Sequence, residues 1–308
     1  MSEIGVAGAP AERATDRPSV ASVGRRRGRD PWRRPRALEF VTWGYILWSL
    51  LPVGIAVLMS FSGGRSISTW QGFSFRWWWK DSQSLFHDAA LHHALFQSLL
   101  LSVVTVAIAV PLGVMFAIGL DRYRGRGSGT ANFLMLFSFV LPEIIVGIAM
   151  FLVITYLLKF VLLGTTAQIL GLVTYQISYP VIIVRARLLS IGREYEEAAM
   201  DLGASPNQSV RRVLLPMLWP AIFVSAALVF ADTIDDFVTV RYLSGAASSE
   251  PLSVKIYNAA RGSPTPAVNA AASFLLFSSL IVIALGTLLY RRATRGQRSA
   301  MSEFAAQM

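Results

Sequence analysis

Six runs of apolar residues, each long enough to cross a lipid bilayer, constrain this chain more than any other feature. They lie at about 40–62, 94–120, 131–158, 167–188, 216–240 and 265–290. A helix needs ~20 apolar residues to span the hydrocarbon core, where backbone groups must be satisfied within their own segment. With 54% hydrophobic and only 15% charged residues among 308, the sequence predicts an all-α membrane protein of about six transmembrane helices.

The net charge of +10 is distributed unevenly along the chain. Arginines cluster before the first span, between the second and third, around residues 185–212 and after the last span. If six spans alternate in direction, all these segments lie on one side of the membrane, which the positive-inside rule places in the cytoplasm. We therefore expect both termini in the cytoplasm and interpret the positive charge as a topology signal. We do not expect nucleic acid as a partner.

The sequence divides into a membrane domain and two tails. Residues 1–36 are rich in Arg, Ala, Gly, Ser and Pro and lack apolar periodicity, which predicts a disordered, basic cytoplasmic tail. Residues 37–292 form one transmembrane domain in contact with lipid, and residues 293–308 form a cytoplasmic C-terminal tail. No internal repeat is visible, which disfavours a transporter built from duplicated halves.

A polar segment at 189–216 joins the fourth and fifth spans. Apolar residues recur there at helical spacing and acidic residues occupy another side: Tyr195, Ala198, Ala199 and Leu202 against Glu194, Glu197 and Asp201. Gly203 follows at a position that favours a left-handed helix end, and Ser205 to Gln208 has the pattern of a capping box with Pro206 at the first helical position. The segment predicts a helix, a sharp turn and a second helix.

This segment resembles the cytoplasmic EAA loop of the membrane subunits of ABC importers. Glu197-Ala198-Ala199, then Gly203 and Leu215-Pro216, stand at that loop's spacing. The resemblance implies a type I ABC importer permease (MetI-like) fold with cytoplasmic coupling helices that receive force from a separate ATPase. The residues implied in this coupling are Glu197, Ala198, Ala199, Asp201, Gly203 and Pro216. The alternative is an ordinary helical hairpin between two spans.

Four carboxylates lie within or beside the apolar spans. Glu143 follows Pro142 in the third span, and Asp232, Asp235 and Asp236 stand at i, i+3 and i+4 near the outer end of the fifth, which predicts one shared helical face. Each carboxylate at the bilayer centre costs roughly 2.5–3.5 kcal/mol and is a functional candidate by default. We hypothesise a substrate pathway. Pairing with Arg241, or a position at the outer interface, is the alternative.

Further stretches resemble the second permease subunit of spermidine/putrescine importers: Leu141–Ile148, Ala198–Ser205, Ile234–Val238 and Pro251–Tyr257. The likeness runs from about Leu38 to Arg292, and Asp232-Thr233 departs from it, standing where this type usually has an apolar residue and Ser. The resemblance implies a permease for a polyamine in a bacterial inner (plasma) membrane. Its partners would be a homologous permease, two copies of an ABC ATPase and an extracytoplasmic substrate-binding protein. Another small ligand remains an alternative.

The chain carries no pattern for nucleotide or metal chemistry. The phosphate-binding motif G-x-x-x-x-G-K-[ST] is absent, so ATP and Mg are expected on the partner ATPase subunits and no cofactor on this chain. There is no cysteine, and the few histidines have no nearby carboxylate or thiol in a ligand pattern, so no metal site is expected. Without a catalytic set, the chain is interpreted as a transport subunit rather than an enzyme. An ion-coupled secondary transporter, using Glu143 and the aspartates, is the rival.

Overall fold

The computed structural model describes residues 36–122, 125, 127–262 and 264–306. The tail expected at 1–36 lies outside these residues except for its last position, where the first helix begins. The chain divides into two compact units, residues 1–51 and 52–308. In the first unit, residues 36–51 are helical. The second contains the remaining elements.

The described residues form helices and no β-strand, with one isolated β-bridge between Ser62 and Phe73. The helices are α1 (Arg36–Ser60), α2 (Ala89–Arg122), α3 (Ser128–Val140), α4 (Glu143–Leu152), α5 (Thr165–Gln176), α6 (Ser178–Ile191), α7 (Glu194–Asp201), α8 (Pro206–Ser209), α9 (Leu215–Ile234), α10 (Val238–Leu243), α11 (Leu252–Arg261) and α12 (Pro266–Ala306). π-Helical turns lie at Arg76–Lys80, Val153–Leu157 and Val210–Leu214, and a 3-10 turn lies at Ala247–Ser249.

The expectation of about six spans is confirmed. Five helical segments have the length and apolar composition to cross a bilayer, and α3 with α4, which meet at a bend of 108°, make six if the pair is counted as one span. The five are Leu38–Ser60, Ala89–Arg122, Thr165–Ile191, Pro206–Ile234 and Pro266–Arg292. The C-terminal tail expected at 293–308 begins as a continuation of α12.

The third span consists of two helices rather than one. Leu141 is extended, with φ −61° and ψ 134°, and separates α3 from α4. Proline disfavours a helical conformation at the residue before it and has no N–H to continue the hydrogen-bond ladder, so Pro142 accounts for the break. Glu143 consequently begins a helix instead of lying within one.

The fifth span also ends earlier than expected, at Ile234. A carboxylate oxygen of Asp236 accepts a hydrogen bond from the backbone N–H of Val240 at 3.3 Å. Short polar side chains that bond nearby backbone groups compete with helix continuation. The prediction that Asp232, Asp235 and Asp236 share one helical face is therefore wrong, because only Asp232 belongs to α9.

The core of the bundle packs α2, α6 and α9 together. Its buried members include Val110, Val114, Val184, Leu188, Leu218 and Val229. Gly113 allows α2 to approach α6 closely, since a Cβ there would lie 2.4 Å from Cγ of Pro180 and 3.1 Å from the carbonyl oxygen of Ile177. Small residues at such crossings let transmembrane backbones come together.

We expect Gly113→Ala to destabilise the protein by about 1–3 kcal/mol, because the added methyl group overpacks the crossing. Gly119→Ala on the same helix is the matched control, since a Cβ there meets nothing within 4 Å. Thermal unfolding in detergent would compare the two variants. Equal midpoints for both would contradict the packing argument.

Candidate functional site

The turn after α7 has the geometry that the sequence predicted. Gly203 has φ +89°, a conformation that favours glycine. The N–H of Gly203 bonds the carbonyl of Met200 at 2.9 Å, and the N–H of Ala204 bonds the carbonyl of Ala199 at 3.0 Å. These two bonds form a Schellman motif, so the end of α7 is satisfied by its own backbone.

The capping box is also confirmed. Ser205 accepts a hydrogen bond from the N–H of Gln208, and the Gln208 side chain accepts one from the N–H of Ser205 at 3.0 Å. The π-helical turn Val210–Leu214 then leads into α9, close to Pro216, which lacks an N–H for the usual ladder. The two helices of the predicted loop are thus joined by a turn that the Schellman motif and the capping box stabilise with hydrogen bonds.

Glu196 attaches α7 to the rest of the second unit. Its carboxylate forms an ion pair with Arg122 at the end of α2, and its carbonyl accepts a hydrogen bond from Ser209 at 3.2 Å. Arg193, just before α7, donates to the carbonyl of Asp121 at 2.6 Å. These contacts were not predicted from the sequence, because Glu196 is not among the apolar or the acidic residues that define the two sides of the predicted helix.

Most of the apolar side expected on α7 is not covered by the part of the chain that the structure describes. Leu202 is 91% exposed and Tyr195 is 49% exposed, and Ala198 is also exposed. Glu197 and Asp201 are exposed as well. The motif residues therefore form a surface with both apolar and acidic character, while Glu196 and Ala199 are half-buried.

The intramembrane carboxylates meet where two spans are interrupted. Glu143 stands at the start of α4, Asp232 in the last turn of α9, and Asp235 and Asp236 in the break between α9 and α10. Asp236 is buried and interacts with the carboxyl group of Glu143. Asp235 interacts electrostatically with Asp232 and Glu143. The structure thus brings together all four residues that the sequence proposed for a pathway.

No Lys or Arg among the described residues forms an ion pair with these four carboxylates. Arg241, the partner considered from the sequence, instead lies 3.9 Å from Glu250. Asp232 and Asp235 are exposed on the surface of this chain. The cluster therefore combines four carboxyl groups without a basic counter-ion in the described part of the chain, an arrangement that favours a cation nearby.

Gln176, Tyr175 and Tyr179 join this cluster from the α5–α6 junction. The Gln176 side-chain amide donates a hydrogen bond to Asp232 at 2.7 Å. Both tyrosines interact electrostatically with Asp232 and Glu143. The sequence interpretation missed these residues, although a glutamine within an apolar span and four residues before Pro180 was a detectable signal. The described residues contain no group of three or more His, Cys, Asp or Glu placed to hold a metal ion.

The fold and the site define a multi-pass membrane transport subunit. Residues 109–299 match the family described as binding-protein-dependent transport system inner membrane component, and the chain belongs to this family. The matched region includes both the loop at 189–216 and the acidic cluster.

Two curated relatives resemble most of the chain. The spermidine/putrescine transport system permease protein PotC of Escherichia coli (strain K12) is 30% identical over 246 residues, covering 80% of this chain and 90% of PotC. The putrescine transport system permease protein PotI of the same strain is 31% identical over 278 residues, covering 87% of this chain and 93% of PotI.

Solved transporters share the fold at lower identity. A chain of the bacterial alginate ABC transporter in complex with an alginate pentasaccharide-bound periplasmic protein has a TM-score of 0.65 and 19% identity, covering 84% of this chain and 94% of that one. A chain of the inward-facing MetNI methionine ABC transporter has a TM-score of 0.52 and 19% identity, covering 66% and 93%. The expected type I ABC importer permease (MetI-like) fold is confirmed.

We expect Glu196→Gln to loosen α7, because the ion pair with Arg122 is lost while the shape of the side chain is kept. Amide hydrogen exchange across residues 194–201 should become about tenfold faster, the factor that corresponds to losing a charge-assisted hydrogen bond. Glu194→Gln is the matched control, since it removes the same charge from the same first turn at an exposed position. Equal exchange in both variants would contradict a positioning role for Glu196.

Proposed function

We propose that this chain is one of two permease subunits in an ATP-driven importer of linear polyamines such as spermidine or putrescine. The observation that carries the proposal is the cluster of Glu143, Asp232, Asp235 and Asp236, which has no basic partner among the described residues. The names of PotC and PotI support the same class of substrate.

The chemistry of the cluster suits a polyamine better than a neutral or anionic solute. An ammonium group entering the membrane loses water, and carboxylates can replace the lost interactions. Several carboxylates along one path can bind several ammonium groups of one molecule. An anion in the same place would meet only repulsion.

The two exposed surfaces of the chain suggest its partners. Asp232 and Asp235 are exposed on a chain that belongs in a membrane, which supports a homologous permease facing them across a shared path. The exposed apolar and acidic surface of α7 supports attachment of an ABC ATPase, with two copies in the complex and both ATP and Mg bound there. An extracytoplasmic binding protein would deliver the ligand on the opposite side.

The orientation follows from the arginine distribution and the loop assignment together. Both termini and the loop at 189–216 lie on the cytoplasmic side of a bacterial inner membrane. ATP binding and the loaded binding protein then act as ligands that favour the outward-open arrangement of the two permeases.

Substitutions at Gly203 test the coupling role of the loop. Gly203→Val places a β-branched residue at φ +89° and should abolish substrate-stimulated ATP hydrolysis, whereas Gly203→Asn should retain more of it, since Asn tolerates this conformation. Glu197→Lys, which reverses a charge on the exposed side, should weaken ATPase attachment. ATP hydrolysis by the reconstituted complex is the measurement. Normal activity in Gly203→Val and Glu197→Lys would exclude this loop as the coupling element.

Uptake of radiolabelled spermidine and putrescine into vesicles tests the substrate. The vesicles hold the full complex, with binding protein outside and ATP inside. The double variant Asp235→Asn/Asp236→Asn should lower uptake of both amines at least tenfold, because about one charge-assisted bond is lost per carboxylate, while the complex still assembles. Transport of a neutral or anionic ligand by the unmodified complex, without uptake of either amine, would refute the polyamine assignment. Vanadate-insensitive uptake by the chain alone would favour the ion-coupled alternative.

A further inference from the structure

Gln176 is fully buried, yet only half of its amide is bonded. Its Nε2 donates to Oδ2 of Asp232 at 2.7 Å, so the amide lies at the acidic cluster. Its Oε1 has no hydrogen-bond partner among the described residues. A buried polar atom without a partner is costly and rare in native proteins, and it calls for a ligand or another physical explanation.

The backbone carbonyl of Gln176 also lacks its usual hydrogen-bond donor. Pro180 stands four residues after Gln176 and has no N–H to bond its carbonyl in the helical ladder. Thr165–Ile191 continues through this point as one apolar helical span, with Ile177 in a right-handed helical conformation. A carbonyl that loses its ladder donor inside a span needs another partner, and an ammonium group can supply one.

Two aromatic rings lie near the Asp232 carboxylate that this amide binds. Tyr175 and Tyr179 pack edge to face with ring centroids 6.4 Å apart. Asp232 exerts the largest charge effect on both tyrosines. Aromatic faces attract cations through the ring quadrupole, and they do so most strongly when water is excluded.

We propose that Asp232, the side-chain oxygen of Gln176 and the rings of Tyr175 and Tyr179 form an ammonium-binding subsite that discriminates among amines by length. This inference rests on the proposed function, since it specifies how the same path selects its substrate. The subsite offers one negative charge, one neutral acceptor and aromatic surface, which together suit a primary or secondary ammonium group.

The subsite is separate from Glu143 and Asp236, of which Asp236 is buried and Glu143 is half-buried. Asp232 belongs to the last turn of α9, whereas Asp235 and Asp236 lie beyond the end of that helix. A linear amine can therefore place one ammonium group at Asp232 and another at the remaining carboxylates. A triamine that does so keeps its third ammonium group for a further carboxylate, whereas a diamine has none left. The subsite thus favours the longer amine.

The experiment compares spermidine with putrescine uptake in the full reconstituted complex, supplied with saturating, ligand-loaded binding protein. Asp232→Asn and Gln176→Leu should each lower the spermidine-to-putrescine rate ratio about tenfold, the effect of one charge-assisted or well-placed acceptor bond. The double variant Gln176→Glu/Asp232→Asn exchanges amide and carboxylate and should restore the ratio to within about threefold of the unmodified value. Glu250→Gln is the control, since it removes a carboxylate outside the cluster and should leave the ratio unchanged.

Different results would overturn different claims. If the unmodified complex carries neither amine, the polyamine function is wrong and this subsite falls with it. If the unmodified complex carries both amines and the spermidine-to-putrescine rate ratio is unchanged in Asp232→Asn and Gln176→Leu, the proposed subsite is refuted, but the polyamine function is not. A purely structural role for Gln176 would reduce the amount of assembled complex and leave the ratio as it was. Should Gln176→Leu not assemble, Asp232→Asn decides alone, because the Asp232 side chain is exposed.

Discussion

The interrupted spans and the acidic cluster of this protein both depend on how backbone polar groups form hydrogen bonds inside a membrane. Each unsatisfied N–H or C=O in lipid costs several kcal/mol, so a span can break only where protein or water covers the break. Two spans break among the described residues, at Leu141-Pro142 and after Ile234, and Pro180 removes one ladder donor within a third. Their carboxylates and the Gln176 amide converge on one cluster, so the backbone interruptions and the polar side chains meet in the same place.

The segment Pro206–Ile234 connects this cluster with the loop surface. The capping box that begins at Ser205 fixes one end, and Asp232 lies in the last turn at the other. Its 29 residues correspond to a helix of about 43 Å. A displacement imposed on α7 and its bonded turn would therefore reach the acidic cluster through one helical segment, apart from the π-helical adjustment at Val210–Leu214. The ion pair between Arg122 and Glu196 adds a second route, through α2.

Two surfaces of this chain make physical sense only with something against them. Asp232 and Asp235 are carboxylates exposed on a membrane-spanning chain, and contact between a carboxylate and lipid is energetically unfavourable. Tyr195 on α7 and Leu202 directly after it are exposed apolar residues, and the carboxylates of Glu197 and Asp201 are exposed beside them. Both surfaces point to an assembly, and this fits the family to which the chain belongs, whose members are components of larger transport systems.

The sequence by itself determined the number of spans, the helix–turn–helix around Gly203 and the family, because span length, helix caps and motif spacing are local properties of the chain. It also identified Glu143 and the aspartates as a set, since charges stand out in apolar runs. Only the tertiary structure decided that the third span bends by 108°, that α9 ends before Asp235, and that Glu196 rather than the apolar side holds α7. It also added Gln176 to the cluster. These outcomes depend on which residues from distant segments become neighbours, and that is set by packing among spans rather than by any pattern within one of them.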